Sequence, residues 1–128
     1  GHRPAPQDRE HRAREVSTLH VLRLRYLGSE EAAGPHVPAH VAYLERHHRA
    51  GTFVLSGQTV PSEHGGVIIA CGVDRPEIEK ISATDPFVCA GVAEYEIMTV
   101  DAGRVHPALA GLVGDDPSRV RAPGEPPG

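Results

Sequence analysis

Tryptophan is absent from the 128 residues, phenylalanine occurs twice and tyrosine three times. With so few large aromatics, the expected core is built from Val, Leu, Ile and Ala, and is small enough to need association with another copy. Positive charge is scarce as well. There is one lysine, Lys80, and 13 basic residues stand against 17 acidic ones, giving a net charge of −4 and a pI near 6.1. Such a balance provides no basic face to neutralise phosphates, which excludes nucleic acid as the main partner. No apolar run approaches the ~20 residues that cross a bilayer, and no signal-peptide core is present. The expectation is a cytoplasmic protein without a membrane partner. Two cysteines, Cys71 and Cys89, are too few for a disulfide framework and fit no zinc spacing, so both read as small hydrophobes.

The two ends differ from the middle. Residues 1–16 mix charge, Pro and Ala without an apolar period, as expected of a disordered or loosely docked arm, and Gly1-His2 reads as a protease-cleavage scar. Residues 104–128 read as a Pro- and Gly-rich, flexible extension, with a possible appendage of the fold at Pro107–Val113. One domain is expected over 17–103.

Within that domain the apolar period changes repeatedly. Ser17–Tyr26 alternates as a half-buried strand, with one slip at Val21-Leu22 that reads as a bulge or an irregular pattern. Gly28–Pro38 breaks the chain. Val37, Val41, Leu44 and His48 then form the stripe of an amphipathic helix over Pro38–Ala50, with Gly51 as its cap. Thr52–Thr59 predicts a strand, Pro61–Gly66 a turn, and the continuous apolar run Val67–Gly72 a central strand. Asp74–Ala83 predicts a short helix stopped by Asp85-Pro86, Phe87–Gly91 a loop, and Val92–Val100 the last strand. The order β-α-β-β-α-β is the ferredoxin-like α+β arrangement, an antiparallel sheet with helices on one face. The uncovered face predicts face-to-face dimerisation into an α+β barrel.

Histidine, by contrast, is abundant at nine. His36 and His40 have the i, i+4 spacing of a chelating pair, but Pro38 lies between them and no carboxylate follows at matching spacing. A defined site needs three or four converging ligands, so no metal is expected. His40 flanks the apolar stripe, where an imidazole is either satisfied at the core edge or aimed into a pocket. Asp85 before Pro86 is ordinary turn chemistry. In this topology the end of the second helix can also approach the first, and a carboxylate there would fix the tautomer of an imidazole. A His–Asp pair in an apolar pocket is the smallest kit for moving one proton.

The stretch His40-Val-Ala-Tyr-Leu44, followed by Gly51-Thr-Phe-Val-Leu-Ser-Gly57, resembles the core of the YciI-like (YCII-related) family. Asp85-Pro-Phe-Val-Cys-Ala-Gly-Val92 resembles that family's second signature, and the match extends over about residues 18–100. The resemblance implies a dimeric α+β barrel with a pocket between sheet and helices, and His40 and Asp85 as the family's proposed active-site pair. Members include a dehydrochlorinase acting on a chlorinated hydroxyquinol. Where many relatives carry Ala-Gly-Pro after the second strand, this chain has Ser56-Gly57-Gln58. Ser56 and Gln58 are thus candidate substrate donors or parts of a rewired turn, and Tyr43, inside the first motif, is a third candidate substrate contact.

Three functions are compatible with these residues. The first is a cofactor-independent acid/base enzyme of lyase, isomerase or cyclase type, acting on a small, mostly apolar carbonyl or phenolic substrate. The second is a small-molecule-binding or accessory protein without turnover. The third is a metal-dependent or cofactor-free oxygenase. The Arg-, Ala-, Pro- and Gly-rich composition leans towards a natural-product or aromatic pathway.

Overall fold

The computed structural model describes residues 18–113; the N-terminal arm and residues 114–128 of the expected extension lie outside them. Strands β1 (Thr18–Tyr26), β2 (Phe53–Gln58), β3 (Gly66–Cys71) and β4 (Ala93–Asp101) alternate with helices α1 (Val37–Arg49) and α2 (Arg75–Ala83) in the expected order. The sheet order is β2-β3-β1-β4, with each neighbouring pair antiparallel. β1 and β2 therefore run the same way with β3 between them, which makes α1 the crossover of a split β-α-β unit. Tyr43 of α1 and Ile78 of α2 share one buried cluster with Leu22, Phe53, Ile68 and Ala70, so both helices pack on the same sheet face.

Three local expectations need correction. β1 has no bulge: its register to both neighbours is unbroken from Leu19 to Leu24. The slip in its pattern arises because the strand is apolar on both faces. His20, Leu22 and Leu24 are buried towards the helices, whereas Leu19 and Val21 face the other side. The irregularity is on β2 instead, where Val54 is an extra residue between the pairs Phe53–Ala70 and Leu55–Ile69. The break before α1 contains a 3-10 turn, Glu30–His36, capped by the Ser29 side chain, which accepts from the Ala32 N–H. The loop after α2 begins with a further helical turn, α3 (Pro86–Cys89).

The core also departs from its expected composition. Tyr43, Phe53 and Phe87 are all buried, so the few aromatics sit at its centre. Rings fill more volume per ordered residue than valine does, and a small domain gains most from placing them there.

The sheet face opposite the helices carries alternate residues of the same strands. Beyond β4, residues Ala102, Ala110 and Val113 are buried, and the Cys71 thiol donates to the Leu112 carbonyl at 2.7 Å. This segment covers the end of the face that bears Leu19 and Ile69. At the other end Arg23 stands opposite Glu96 and Arg25 opposite Glu94, the latter two forming an ion pair. Leu55, Met98 and Val100 remain 55%, 61% and 38% exposed.

The β2–β3 turn needs glycine at one position above all. Gly65 has φ +105°, and a Cβ there would lie 1.9 Å from the Leu24 carbonyl oxygen. At Gly57, on the neighbouring strand, a Cβ would meet nothing within 4 Å. Gly65→Ala should therefore lower unfolding free energy by about 3 kcal/mol or more, whereas Gly57→Ala should change it by less than about 1 kcal/mol. Urea unfolding of the two variants tests this, and equal midpoints would refute the strain argument.

Candidate active site

Asp85 organises the site. Pro86 stands at the first position of α3, where its missing N–H and preset φ favour a helix start, and Asp85 is the residue before it. One carboxylate oxygen, Oδ1, accepts the Phe87 N–H at 2.9 Å and also faces His40 Nδ1 at 2.9 Å. The other, Oδ2, accepts the Tyr95 hydroxyl. The carboxylate is completely buried and has three donors, the condition under which a buried charge is tolerated. Asp85 therefore does not close α2, whose last residue is followed by Thr84; it caps the next turn and turns its second oxygen towards β4.

His40 lies on α1, one turn after Pro38. Its side chain is 13% exposed, and its ring lies parallel to Phe87 with centroids 4.0 Å apart and an interplanar angle of 4°. With Asp85 accepting at Nδ1, the proton of a neutral ring belongs on Nδ1 and the lone pair on Nε2. Nε2 makes no hydrogen bond among the described residues. His40 itself lines a cavity of about 240 Å³ between α1 and the strands. That volume exceeds the ~150 Å³ of an apolar void able to take up benzene.

The cavity wall is largely apolar. Leu24, Ile68, Phe87 and Tyr95 form its inner part, and Val37, Val41 and Leu44 of α1 run along its side. The apolar stripe read from the sequence thus borders the cavity, not the core. Val37 and Val41 are 42% and 41% exposed, while Tyr43 is the buried residue of the helix. Ser56 and Gln58 line the cavity too, on helix-facing positions of β2 opposite Ile68 and Gly66. Ser56 Oγ lies 2.8 Å from His48 Nε2.

Tyr43 was expected at the substrate and stands elsewhere. Its ring is fully buried between the imidazoles of His40 and His47 and the ring of Phe53, and it forms no part of the cavity wall. The reason is helical spacing: three residues after His40 the side chain points down to the sheet, one layer below. Its hydroxyl, near Tyr95, has no hydrogen-bond partner among the described residues. Tyr95 is the site residue that motif reasoning missed. Its signal was present in the alternation of β4, which places Tyr95 on the helix-facing side with Ala93 and Ile97.

His36 sits at the N-cap of α1 without a side-chain cap bond, and His40 has its Nδ1 committed to Asp85. Among the described residues no three or more His, Cys, Asp or Glu converge as a metal site, and no helix is long and apolar enough to cross a membrane.

The YCII-related domain model matches residues 13–101. The chain belongs to the YCII-related family. A search of curated proteins returns no match. Among solved structures the YCII-related chain resembles a 5-chloro-2-hydroxyhydroquinone dehydrochlorinase from Burkholderia phenoliruptrix, in complex with 2,5-dihydroxybenzoquinone. The TM-score is 0.53 at 21% identity, over 63% of this chain and 90% of that one, a likeness of fold.

Burial is the main force on the two deep tyrosines. It raises the Tyr95 phenol well above the ordinary range, with Tyr43 and Asp85 adding to it, and it raises Tyr43 in the same direction, with Asp85 second. The folded state thus holds these protons more tightly than the unfolded chain, whose tyrosines titrate near 10.0. Their contribution to stability is complete below that pH and is lost as pH rises above it. In a spectrophotometric titration at pH 10, native protein should show tyrosinate from no more than Tyr26, with the rest appearing only on unfolding. Full tyrosinate absorbance from folded protein would contradict the burial argument.

Proposed function

We propose that the protein is a cofactor-independent acid/base enzyme whose base is His40, oriented by Asp85, acting on a small, mostly apolar oxygenated ring or carbonyl compound. The observation that carries the reading is the 2.9 Å Nδ1–Oδ1 contact, which turns the opposite ring edge to an apolar cavity of small-molecule size. Nε2 takes a proton from a substrate O–H or from a C–H next to a carbonyl, and the imidazolium that forms is stabilised by the buried Asp85 carboxylate. The released electron pair forms a double bond, and either a leaving group departs from the adjacent carbon or the proton returns at another carbon. Elimination is the variant favoured here. The structurally similar dehydrochlorinase is named for loss of hydrogen chloride from a hydroxyhydroquinone, a reaction of this class. Ser56 and Gln58 supply hydrogen bonds to substrate oxygen from the β2 wall.

The fold supports a second element of this reading, a homodimer. Leu55, Met98 and Val100 lie on the sheet face away from the helices and are substantially exposed. A second copy laid on that face buries them and completes the α+β barrel.

Solvent-deuterium exchange into small phenols and cyclic ketones, followed by NMR, detects the proton-transfer half-reaction whatever the complete reaction is. Wild-type protein should catalyse exchange, and His40→Asn should slow it by about 10²–10⁴. Asp85→Asn should also slow it, because the amide cannot match a carboxylate in holding both the imidazolium and the Tyr95 hydroxyl. Exchange by His40→Asn at the wild-type rate, or none by wild type across the panel, would refute the assignment. Light scattering should give twice the chain mass of 13.7 kDa at micromolar concentration, and Met98→Glu should shift it towards the monomer. A monomeric wild type would refute the dimer.

A further inference from the structure

The cavity has a second polar end that the acid/base pair leaves unused. His48, about two turns beyond His40 on α1, is 2.8 Å from Ser56 Oγ through Nε2, and its ring is held edge-on to Phe53 with centroids 5.9 Å apart. A hydroxyl has one donor and two acceptor positions. One of them is engaged by His48, so the remainder serve the cavity that Ser56 lines. Gln58 stands two residues further along the same face of β2, and its amide makes no hydrogen bond among the described residues. Gly57 between them and Gly66 opposite Gln58 carry no side chains, which leaves these two polar groups standing over bare backbone.

Spacing along α1 gives the distance between the two ends. His40 and His48 are eight residues apart, about 12 Å of helix rise. Val41 and Leu44 provide the apolar wall between them. The result is a slot that is polar at each end and apolar along its length. A six-membered ring with an oxygen on each of two opposite carbons, plus a hydrogen bond of about 2.8 Å at each end, spans a comparable length.

We infer that the cavity selects flat rings oxygenated at both ends, with one oxygen at His40 and the other at Ser56, and that His48 is the positioning residue that fixes the Ser56 hydroxyl. This inference rests on the reading of the cavity as a small-ring site given above and adds to it the class of substrate. A ring with a single oxygen leaves Ser56 and Gln58 against an apolar edge, without the water that would otherwise solvate them, and is discriminated against for that reason.

The test is calorimetric titration of the full chain with hydroquinone and with phenol, probes that differ only in the second oxygen. Wild type should bind hydroquinone at least about ten-fold more tightly than phenol. Ser56→Ala and His48→Phe should each bring the ratio to within about two-fold while leaving phenol affinity nearly unchanged. His48→Gln, whose amide can still reach the hydroxyl, should recover part of the ratio and covers the case in which His48→Phe does not fold. A merely structural role for His48 would weaken both probes alike and leave the ratio intact; that result overturns the inference. Equal affinity of wild type for the two probes also overturns it, yet leaves the exchange activity of His40 untouched. Failure of wild type to bind either probe would overturn the small-ring reading and this inference together.

Discussion

A carboxylate buried without partners is among the least tolerable groups in a protein interior, and Asp85 is wholly enclosed. Its three donors come from three different elements: the backbone of α3, the imidazole of α1 and the phenol of β4. Each donor must arrive at the right place for the charge to be accommodated, so the carboxylate ties the helical layer to the edge strand. Removing one partner of such a group typically costs about 3–5 kcal/mol. The local cap supplies the economy of the arrangement. An aspartate needed to start a one-turn helix also orients the ring nitrogen that faces the cavity, and Phe87, the residue whose N–H it caps, stacks on that same ring.

Much of this was legible beforehand, for reasons that differ by residue. The order of elements followed from changes of period, because period 2 in β1 and β4 and period 3.6 in α1 are imposed by burial on one side. His40 and Asp85 could be picked out through the resemblance of their motifs, while composition and spacing left both compatible with ordinary structural roles. What could not be read was the rotation of α1. The apolar residues Val37 and Val41 mark the most hydrophobic stripe, yet the helix turns Tyr43 to the core and gives that stripe to the cavity. A pocket for an apolar ligand and a hydrophobic core demand the same residue types, so hydrophobicity alone cannot distinguish them.

Tyr95 escaped notice for a related reason. On β4 it is one alternating apolar position among several, and nothing local marks its hydroxyl as the partner of a residue ten positions earlier. Ser56 was visible as a departure from the family pattern, but its partner His48 was hidden, because the contact joins the last turn of α1 to the following strand across the turn at Gly51. Side-chain pairs that bridge elements are set by packing angle, a quantity the chain does not spell out residue by residue.

The unbroken alternation of β1 has one more implication. Leu24 forms part of the cavity lining, and its neighbours Arg23 and Arg25 emerge on the far side of the sheet. The partition between the chamber and the outer surface is therefore a single polypeptide backbone thick. Any body that presses on the outside bears directly on the strands that floor the chamber. Neither surface can be recontoured through mutation at those strands without the other registering the change, which couples the evolution of the two faces.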